Sequence, residues 1–295
     1  MNLTALAKPQ FLFRPQQIFL RLARELYQQQ ILRAEVKLPW GLTIEVNPHE
    51  VIGRSIWHHG LYDLTVSEAL WRLLDPGALA LDIGANIGYT TSIMAHKTGP
   101  AGKVLAFEPH PALFRALEAN VARFKQHETT GAIIAVNLAL SDSRGASYLT
   151  YTDQFQTNHG IARLTDAPDS AAKLIAVQKH SLDAMLGATN ITLMKVDVEG
   201  HELQVLQGAK NLLQRQGVKH IIYEDLSGSD SAVHTLLASY GYSLYALGWN
   251  FWKPLISPIG AGPKIRAGYE APNYLATVDA PDVRARFQRR GWQIL

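Results

Sequence analysis

The sequence predicts an α/β fold in which helices cover both faces of a doubly wound, mostly parallel sheet. From Pro76 onward, short apolar segments of the kind that strands bury on both faces alternate with segments of helical periodicity. Each apolar segment also ends at a polar residue, and ligands of such sheets bind at the carboxyl ends of the strands. The predicted strands cover residues 78–81, 104–107, 133–136, 191–196, 218–223, 242–247 and 274–278.

Helices are predicted between these strands because apolar side chains recur at helical spacing over residues 113–124, 203–213 and 233–240. Before the main fold, residues 15–32 predict an amphipathic helix and residues 41–63 predict a small antiparallel β element. We therefore divide the chain into an N-terminal extension, residues 1–60, and one large domain, residues 61–295. The Pro/Gly-rich segment 254–263 is expected to be an ordered loop.

Composition excludes several classes of protein. The 295 residues include no cysteine, which excludes disulfide frameworks, thiolate nucleophiles, cysteine zinc sites and iron–sulfur clusters. A net charge of +3 is too small to indicate a nucleic-acid-binding protein. The chain shows no signal-like apolar start and no uncharged apolar segment of the ~18 residues that span a bilayer, so we expect a cytoplasmic protein.

Basic side chains are concentrated near both ends of the chain. Residues 1–40 carry six basic and two acidic side chains, and residues 258–295 carry six and three. The helix predicted over residues 15–32 either packs on its own domain or makes a peripheral contact with a membrane or a partner. The sequence leaves both a monomer and a homo-oligomer open.

The loop after the first predicted strand has features of a cofactor site. Asp82, Gly84 and Gly88 follow an Asp-x-Gly-x-x-x-Gly spacing, with Asn86 between the glycines, and the glycines allow a tight turn and close approach of a ligand. The spacing differs from the Gly-x-Gly-x-x-Gly of dinucleotide-binding proteins. An acidic residue there would repel a pyrophosphate but suits a ligand that carries an ammonium and a sulfonium, as S-adenosylmethionine does.

Polar residues also follow the second and third predicted strands. Glu108 lies 20 residues after Gly88, where a carboxylate can accept hydrogen bonds from both ribose hydroxyl groups of an adenosine ligand. The third strand leads into Asn137, Ala139 and Asp142, whose backbone and carboxylate are predicted to meet the adenine edge. The ordered set of strand ends, more than any one residue, indicates the cofactor.

The fourth predicted strand ends in the densest ionisable cluster of the chain, which includes Asp197, Glu199, His201 and Glu202. Together with residues 81–90, 107–109 and 139–142, this cluster resembles the FkbM-type S-adenosylmethionine-dependent methyltransferases. Their pattern of Asp, Glu-Gly, Glu and a later Leu-x-Gly matches Asp197, Glu199-Gly200, Glu202 and Leu206-Gln207-Gly208.

The resemblance spans roughly residues 61–278 and implies both a fold and an activity. It implies the Rossmann-like class I methyltransferase fold, with a seven-stranded sheet whose last strand, residues 274–278, runs antiparallel. It also implies O-methylation of a hydroxyl group on a sugar, a glycan, a lipid-linked glycan or a secondary metabolite. The cofactor implied is S-adenosylmethionine, and no nucleic acid is expected as a partner.

A catalytic base is useful when the acceptor is an alcohol, and we place the catalytic residues in the strand-four cluster, at Asp197, Glu199 and His201. His201 and Asp197 are the candidate bases, and Asp197 could alternatively hold the methionine ammonium group. In an alternative mechanism that uses magnesium, Asp197, Glu224 and Asp225 would come together around the ion at the ends of strands four and five. His201 could equally be an exposed first-turn residue of a helix.

Two further features could contact an acceptor. Residues 155–160 form a candidate substrate loop, and Trp249, Phe251 and Trp252 could either stack on a sugar or belong to the core. Among competing functions, a nicotinamide oxidoreductase is disfavoured by the glycine spacing. A cofactor-binding scaffold without catalysis stays open, although the combination of Asp82, Glu108 and Asp197 argues against it.

Overall fold

The computed structural model describes Arg24, residues 30–151, Phe155, and residues 162–166, 173–259 and 272–295. In chain order the strands are β1 (Ala34–Lys37), β2 (Thr43–Val46), β3 (Leu79–Ile83), β4 (Lys103–Phe107), β5 (Ala132–Val136), β6 (Ala139–Leu140), β7 (Gly145–Tyr151), β8 (Arg163–Thr165), β9 (Lys173–His180), β10 (Ile191–Val196), β11 (Val218–Glu224), β12 (Ser243–Asn250), β13 (Lys253–Pro258) and β14 (Asn273–Thr277). The helices are α1 (Val51–His59), α2 (Leu64–Leu73), α3 (Tyr89–Thr98), α4 (Pro111–Phe124), α5 (Leu182–Leu186), α6 (Glu202–Gln207), α7 (Lys210–Gln214), α8 (Ala232–Ser239) and α9 (Ala280–Gln288).

The main sheet contains the seven predicted strands and confirms the predicted fold class. Its strands lie in the order β5-β4-β3-β10-β11-β14-β12-β13. Neighbours from β5 to β11 pair in parallel, and β14 runs antiparallel to both β11 and β12, as the resemblance implied. The order reverses between β3 and β10, and this reversal places a ligand site at their carboxyl ends.

The eighth strand, β13, corrects the sequence analysis, because its residues were predicted to form a loop. It pairs only with β12, in an antiparallel hairpin that extends the edge of the sheet. Pro254 and Pro258 lie within this strand. Proline is tolerated there because an edge strand does not use all of its N–H groups in the sheet.

Helices cover both faces of the main sheet. One hydrophobic core contains side chains of α2, α3, α4 and α9, and the second contains side chains of α5 to α8. Successive strand residues alternate between the cores, so that Leu193 packs into the first and Met194 into the second. This arrangement is the doubly wound architecture that the sequence predicted.

The N-terminal region packs against the main sheet and its helices. β1 and β2 pair antiparallel, but only β2 lies within residues 41–63, where the sequence predicted a small β element, and residues 51–59 of that range form helix α1. Their buried side chains share one core with α3 and α4, and Asn120 of α4 exchanges two hydrogen bonds with the backbone of Glu45, of 2.8 and 3.1 Å. A domain boundary at residue 60 stays a prediction.

The helix predicted over residues 15–32 lies outside the described residues except at Arg24 and residues 30–32. Arg24 donates a hydrogen bond to the carbonyl oxygen of Trp57.

A second, four-stranded sheet was not predicted. It is inserted between β5 and β10 of the main sheet, with strand order β6-β9-β7-β8. Of the predicted substrate loop, residues 155–160, only Phe155 is described; it is buried and stacks on His110, with ring centroids 4.4 Å apart.

Helix α2 anchors the end of the chain through a buried ion pair. Arg72 bonds Glu68 at 2.6 Å and donates to the carbonyl oxygens of Arg286, Arg289 and Gly291. Glu68 also accepts hydrogen bonds from the backbone of residues 293 and 294.

In the part of the chain that the structure describes, no helix combines the length and apolar character needed to cross a bilayer.

Candidate active site

A cleft of about 540 Å³ lies at the carboxyl edge of the parallel strands, where the sequence predicted a ligand site. It is lined by the segments that follow β3, β4, β10 and β11, by α1 and α2, and by the small sheet. The predicted site residues that line it are Gly84, Asn86, Glu108, Ala139, Asp197, Glu199 and His201. The other predicted contacts, Asp82, Gly88, Asn137 and Asp142, are not among its lining residues.

Glu108 places a buried carboxylate in the cleft. Its Oε1 accepts a hydrogen bond from the backbone of His110 at 2.8 Å, and its Oε2 accepts one from the backbone of Asn86 at 2.9 Å. A carboxylate oxygen can accept a second bond, so both oxygens keep capacity for sugar hydroxyl groups. Burial raises the pKa of Glu108 to about 7, although the two backbone bonds and Lys195 act in the opposite direction. This carboxylate fits an adenosine-containing cofactor.

Gly84 allows the loops that follow β3 and β10 to touch. It adopts a φ of 77°, and a Cβ atom there would lie 1.9 Å from the backbone oxygen of Asp197. A side chain at this position would therefore push Asp197 out of the cleft. Asn86, two residues on, also has a positive φ, of 50°, and its backbone N–H is the donor to Glu108. The loop thus offers backbone, with little side chain, to a ligand.

Asp82 has a different environment from the one that the sequence analysis assigned to it. Its Oδ2 accepts hydrogen bonds from the hydroxyl groups of Thr90 at 2.8 Å and Thr91 at 2.6 Å. Its Oδ1 is buried without a hydrogen bond and lies 3.6 Å from Nζ of Lys195. The carboxylate is fully buried, and its nearest cation is the lysine. Direct contact of Asp82 with a cofactor ammonium group is therefore not supported.

Lys195 is a site residue to which the sequence analysis gave no role. Its Nζ lies 3.1 Å from Oδ2 of Asp197 and donates to the backbone oxygen of Gly84 at 3.2 Å. Burial lowers the pKa of Lys195, but Asp197 and Asp82 outweigh burial and raise it above its ordinary value. Lys195 and Asp82 are register partners on adjacent strands, which explains the contact. The lysine therefore ties the two cofactor loops together.

The residues expected at the adenine edge divide into one that lines the cleft and two that do not. Ala139 lines it. Asn137 is exposed and donates hydrogen bonds to the backbone oxygens of Glu108 at 2.8 Å and Pro109 at 3.0 Å, so it braces the loop that carries Glu108. Asp142 is exposed and accepts hydrogen bonds from Ser141 and Ser143.

Gly88 begins helix α3 with a φ of 93°. A Cβ atom there would lie 2.9 Å from the side chain of Leu117. The structure therefore assigns Gly88 to helix packing behind the cleft, where sequence analysis had predicted a cofactor contact.

His201 lines the cleft at the start of α6. Its Nε2 lies 2.9 Å from the hydroxyl oxygen of Ser141. Burial lowers the pKa of His201, Asp142 and Asp166 raise it, and Lys179 lowers it, with a net decrease. The lowered pKa favours the neutral imidazole, which can accept a proton. This environment differs from the exposed first-turn position that the sequence also allowed.

The remaining acidic residues give the cleft a carboxylate-rich side. Glu199, at a φ of 56°, and Glu224 both line the cleft. Burial and nearby carboxylates raise the pKa of Glu199 to about 7 and that of Glu224 to about 8. Glu202 accepts hydrogen bonds from the backbone of Val198 at 3.0 Å and Gly200 at 3.2 Å, which shapes the loop after β10.

The alternative magnesium site lacks its third carboxylate. Asp225 bonds the hydroxyl group of Ser231 and the backbone of Ser227, and it does not line the cleft. Among the residues that the structure describes, no group of three histidine or acidic side chains is arranged to hold a metal ion. In the described part of the chain, Asp197, Glu224 and Asp225 are therefore not arranged around a common point, as the magnesium alternative requires.

Helices α1 and α2 contribute a wall that sequence analysis missed. Tyr62 and Asp63 line the cleft, and Asn273 donates a hydrogen bond to Asp63 at 3.0 Å. The missed signal was the dipeptide Tyr62-Asp63 directly before α2, which only the folded chain brings to the site. The aromatic residues proposed for acceptor stacking, Trp249, Phe251 and Trp252, do not line the cleft, and Trp252 is 66% exposed.

The doubly wound sheet with an antiparallel β14 and a cleft at its carboxyl edge has the architecture of the class I methyltransferase fold. A sequence model of the methyltransferase FkbM domain matches residues 82–244, more than half of the chain. The chain belongs to the FkbM methyltransferase family.

Several characterised proteins are similar to this chain. The hexuronic acid methyltransferase AglP of Haloferax volcanii is 32% identical over 63% of this chain and 72% of its own length. The 31-O-demethyl-FK506 methyltransferase FkbM of Streptomyces tacrolimicus is 29% identical over 59% and 75%. The antimetabolite synthetase AmbE of Pseudomonas aeruginosa is 28% identical over 71% of this chain. The matched region is only 11% of the length of AmbE. The crystal structure of an FkbM methyltransferase from Methylobacillus flagellatus covers 73% of this chain and 55% of its own, with 12% identity and a TM-score of 0.45.

Proposed function

We propose that this protein transfers a methyl group from S-adenosylmethionine to a hydroxyl group of a sugar, a glycan, a lipid-linked glycan or a secondary metabolite. The observation that carries the proposal is the position of His201, which lines the same cleft as Glu108 and whose pKa is lowered by burial. Two relatives are named as methyltransferases of a hexuronic acid and of 31-O-demethyl-FK506, which supports a hydroxylated acceptor.

Four residues would hold the cofactor, which supplies a methyl group on a sulfonium when it is bound. Glu108 accepts hydrogen bonds from the ribose hydroxyl groups, and the backbone near Gly84 lies against the ligand. Ala139 offers an apolar surface to the adenine. Asp197 pairs with Lys195 through Oδ2 at 3.1 Å, and the carboxylate faces the cleft, where it would bind the ammonium group.

His201 is the better of the two candidate bases. Asp197 contacts the Lys195 ammonium at 3.1 Å and suits the binding of a cation more than the acceptance of a proton. Among the described residues, His201 has no cationic partner within hydrogen-bond distance, and it takes the proton of the acceptor hydroxyl group. A positioned base contributes about 10²- to 10⁴-fold to the rate, and alignment of the reactants contributes roughly 7–11 kcal/mol. Orientation of the two reactants by the cleft is therefore the larger contribution to the rate.

The carboxylates of Glu199 and Glu224 complete the acceptor side of the cleft. With pKa values of about 7 and 8, both exchange protons near neutral pH and can donate or accept hydrogen bonds to hydroxyl groups. This double capacity suits a polyhydroxylated acceptor. A peripheral membrane contact through the basic N-terminal segment stays a prediction, because most of that segment lies outside the described residues.

The proposal is tested by methyl transfer from labelled S-adenosylmethionine to a panel of sugars, uronic acids and polyketide alcohols. We expect a methyl ether product, and we expect His201→Ala to lower turnover by about 10²-fold or more while the affinity for S-adenosylhomocysteine is retained. His127→Ala is the matched control, because His127 is exposed at the end of α4. Equal turnover of the two variants would show that His201 is not the catalytic base.

A further inference from the structure

We propose that Ser141 and Asp142 are positioning residues for His201, which fix its tautomer so that Nδ1 is the nitrogen that takes the proton of the acceptor. The inference deepens the proposed function and rests on His201 as its base. It assigns a new role to Asp142, which the sequence analysis had placed at the adenine.

The hydrogen-bond geometry determines the tautomer. The hydroxyl oxygen of Ser141 lies 3.2 Å from Oδ1 of Asp142 and 2.9 Å from Nε2 of His201. Because a carboxylate can only accept, the contact at 3.2 Å directs the single proton of Ser141 to Asp142. We infer that Ser141 then accepts from His201 at 2.9 Å, which places the ring proton on Nε2. Nδ1 is left unprotonated, and in the part of the chain that the structure describes it has no hydrogen-bond partner.

Ser141 is held in place on two sides. Its backbone N–H donates to the carbonyl oxygen of His180 in β9 at 3.0 Å. On the other side, a Cβ atom on Gly208 would lie 1.9 Å from the carbonyl oxygen of Ser141, so the end of α6 packs directly on this residue. The backbone of Ser141 is therefore held between β9 and the end of the short helix α6.

Three charged groups and burial determine how readily the imidazole is protonated. Asp142 and Asp166 favour its protonated form, whereas Lys179 opposes it and is itself paired with Asp166 at 2.5 Å. Burial of His201 is the largest effect and lowers its pKa. Asp166 and Lys179 act in opposite directions, and Asp142 has the largest effect of the three charges, so Asp142 is the carboxylate that stabilises the imidazolium formed during the reaction.

The proton balance of the step follows from this arrangement. As the acceptor oxygen forms its bond to the methyl carbon, the carbon–sulfur bond breaks and its electrons stay on the sulfur. The hydroxyl proton moves to Nδ1 of His201, and the Nε2 proton stays in its bond to Ser141. The imidazolium later releases the Nδ1 proton to water.

Nitrogen NMR on the ¹⁵N-histidine-labelled full chain tests the tautomer without an acceptor, with His201 assigned by its loss in His201→Gln. We expect a proton on Nε2 in the wild type, a mixture of tautomers in Ser141→Ala, and a lower titration midpoint in Asp142→Asn. Ser143→Ala is the matched control, because Ser143 also bonds Asp142, at 2.8 Å, without a hydrogen bond to His201. A proton on Nδ1 in the wild type, or equal midpoints in Asp142→Asn and Ser143→Ala, would overturn the inference.

Kinetics separate the inference from the proposed function. We expect Ser141→Ala and Asp142→Asn to lower kcat by about tenfold at unchanged affinity for S-adenosylhomocysteine, and Asp142→Asn to move the acidic limb of the pH profile to lower pH. If His201→Ala is inactive but both variants behave like Ser143→Ala, the positioning role is wrong and the proposed function stands. If His201→Ala retains full turnover, the base itself is wrong.

Discussion

Replacement of Lys195 by methionine tests the ion pair beneath the cleft. The substitution keeps most of the side-chain volume and removes the charge, which leaves the fully buried carboxylate of Asp82 without its cation. Loss of one partner of a buried ion pair costs about 3–5 kcal/mol. Because Oδ2 keeps its bonds from Thr90 and Thr91 and only Oδ1 is left uncompensated, we expect the lower part of that range, about 3 kcal/mol.

Urea and thermal unfolding followed by circular dichroism measure this loss. For a chain of this size, 3 kcal/mol corresponds to a decrease in Tm of roughly 6–12 °C. Lys219→Met is the matched control, because its ammonium group is partly exposed and pairs with Asp279 and Asp282, so we expect a loss of at most about 1 kcal/mol. The double variant Asp82→Asn/Lys195→Met should recover part of the stability. An equal loss in Lys195→Met and Lys219→Met would refute the reasoning.

The remaining predictions concern the cofactor loops and the end of the chain. Glu108 has a pKa of about 7 and accepts hydrogen bonds from hydroxyl groups best as a carboxylate. The calorimetric affinity for S-adenosylhomocysteine should therefore fall about tenfold from pH 8 to pH 6, and Glu108→Gln should abolish this pH dependence. Gly84→Ala should lower the same affinity more than tenfold, because its Cβ atom would displace Asp197; tight binding by this variant would contradict the close contact. Arg72→Met should cost about 3–5 kcal/mol in the free energy of unfolding and expose the C-terminal residues to limited proteolysis, whereas an unchanged cleavage pattern would show that Glu68 alone anchors them.

Much of the site could be predicted because parallel strands end at one edge of their sheet. Glu108, Asp197 and His201 each follow a strand, so their meeting in one cleft followed from the strand pattern once the fold class was clear. The resemblance to FkbM-type methyltransferases added the antiparallel last strand and the choice of cofactor.

The contacts that sequence analysis missed depend on which strands are neighbours in space. Lys195 and Asp82 lie far apart in the chain and meet only because β10 pairs with β3, so the carboxylate expected to bind the cofactor is paired with a lysine. Tyr62 reaches the cleft because α2 packs beside the main sheet. Asp142 follows the third strand as predicted, but the turn that bonds it to Ser141 directs it toward His201.

The four-stranded insertion and the edge strand escaped prediction for a different reason. Their strands alternate polar and apolar residues only weakly, and Pro254 within β13 is more typical of a loop. Such strands form because a neighbouring strand offers free hydrogen-bonding groups, which the local sequence does not reveal.

Calorimetric titration with S-adenosylhomocysteine, with NAD as the control ligand, tests the central claim that the cleft holds the methyl donor at Glu108. The account predicts that the wild type binds S-adenosylhomocysteine and not NAD. It also predicts that Glu108→Ala, which removes two hydrogen bonds to a charged acceptor worth about 1.5 kcal/mol each, binds about 10²-fold more weakly. Equal affinity in the wild type and Glu108→Ala, or comparable binding of NAD, would contradict it.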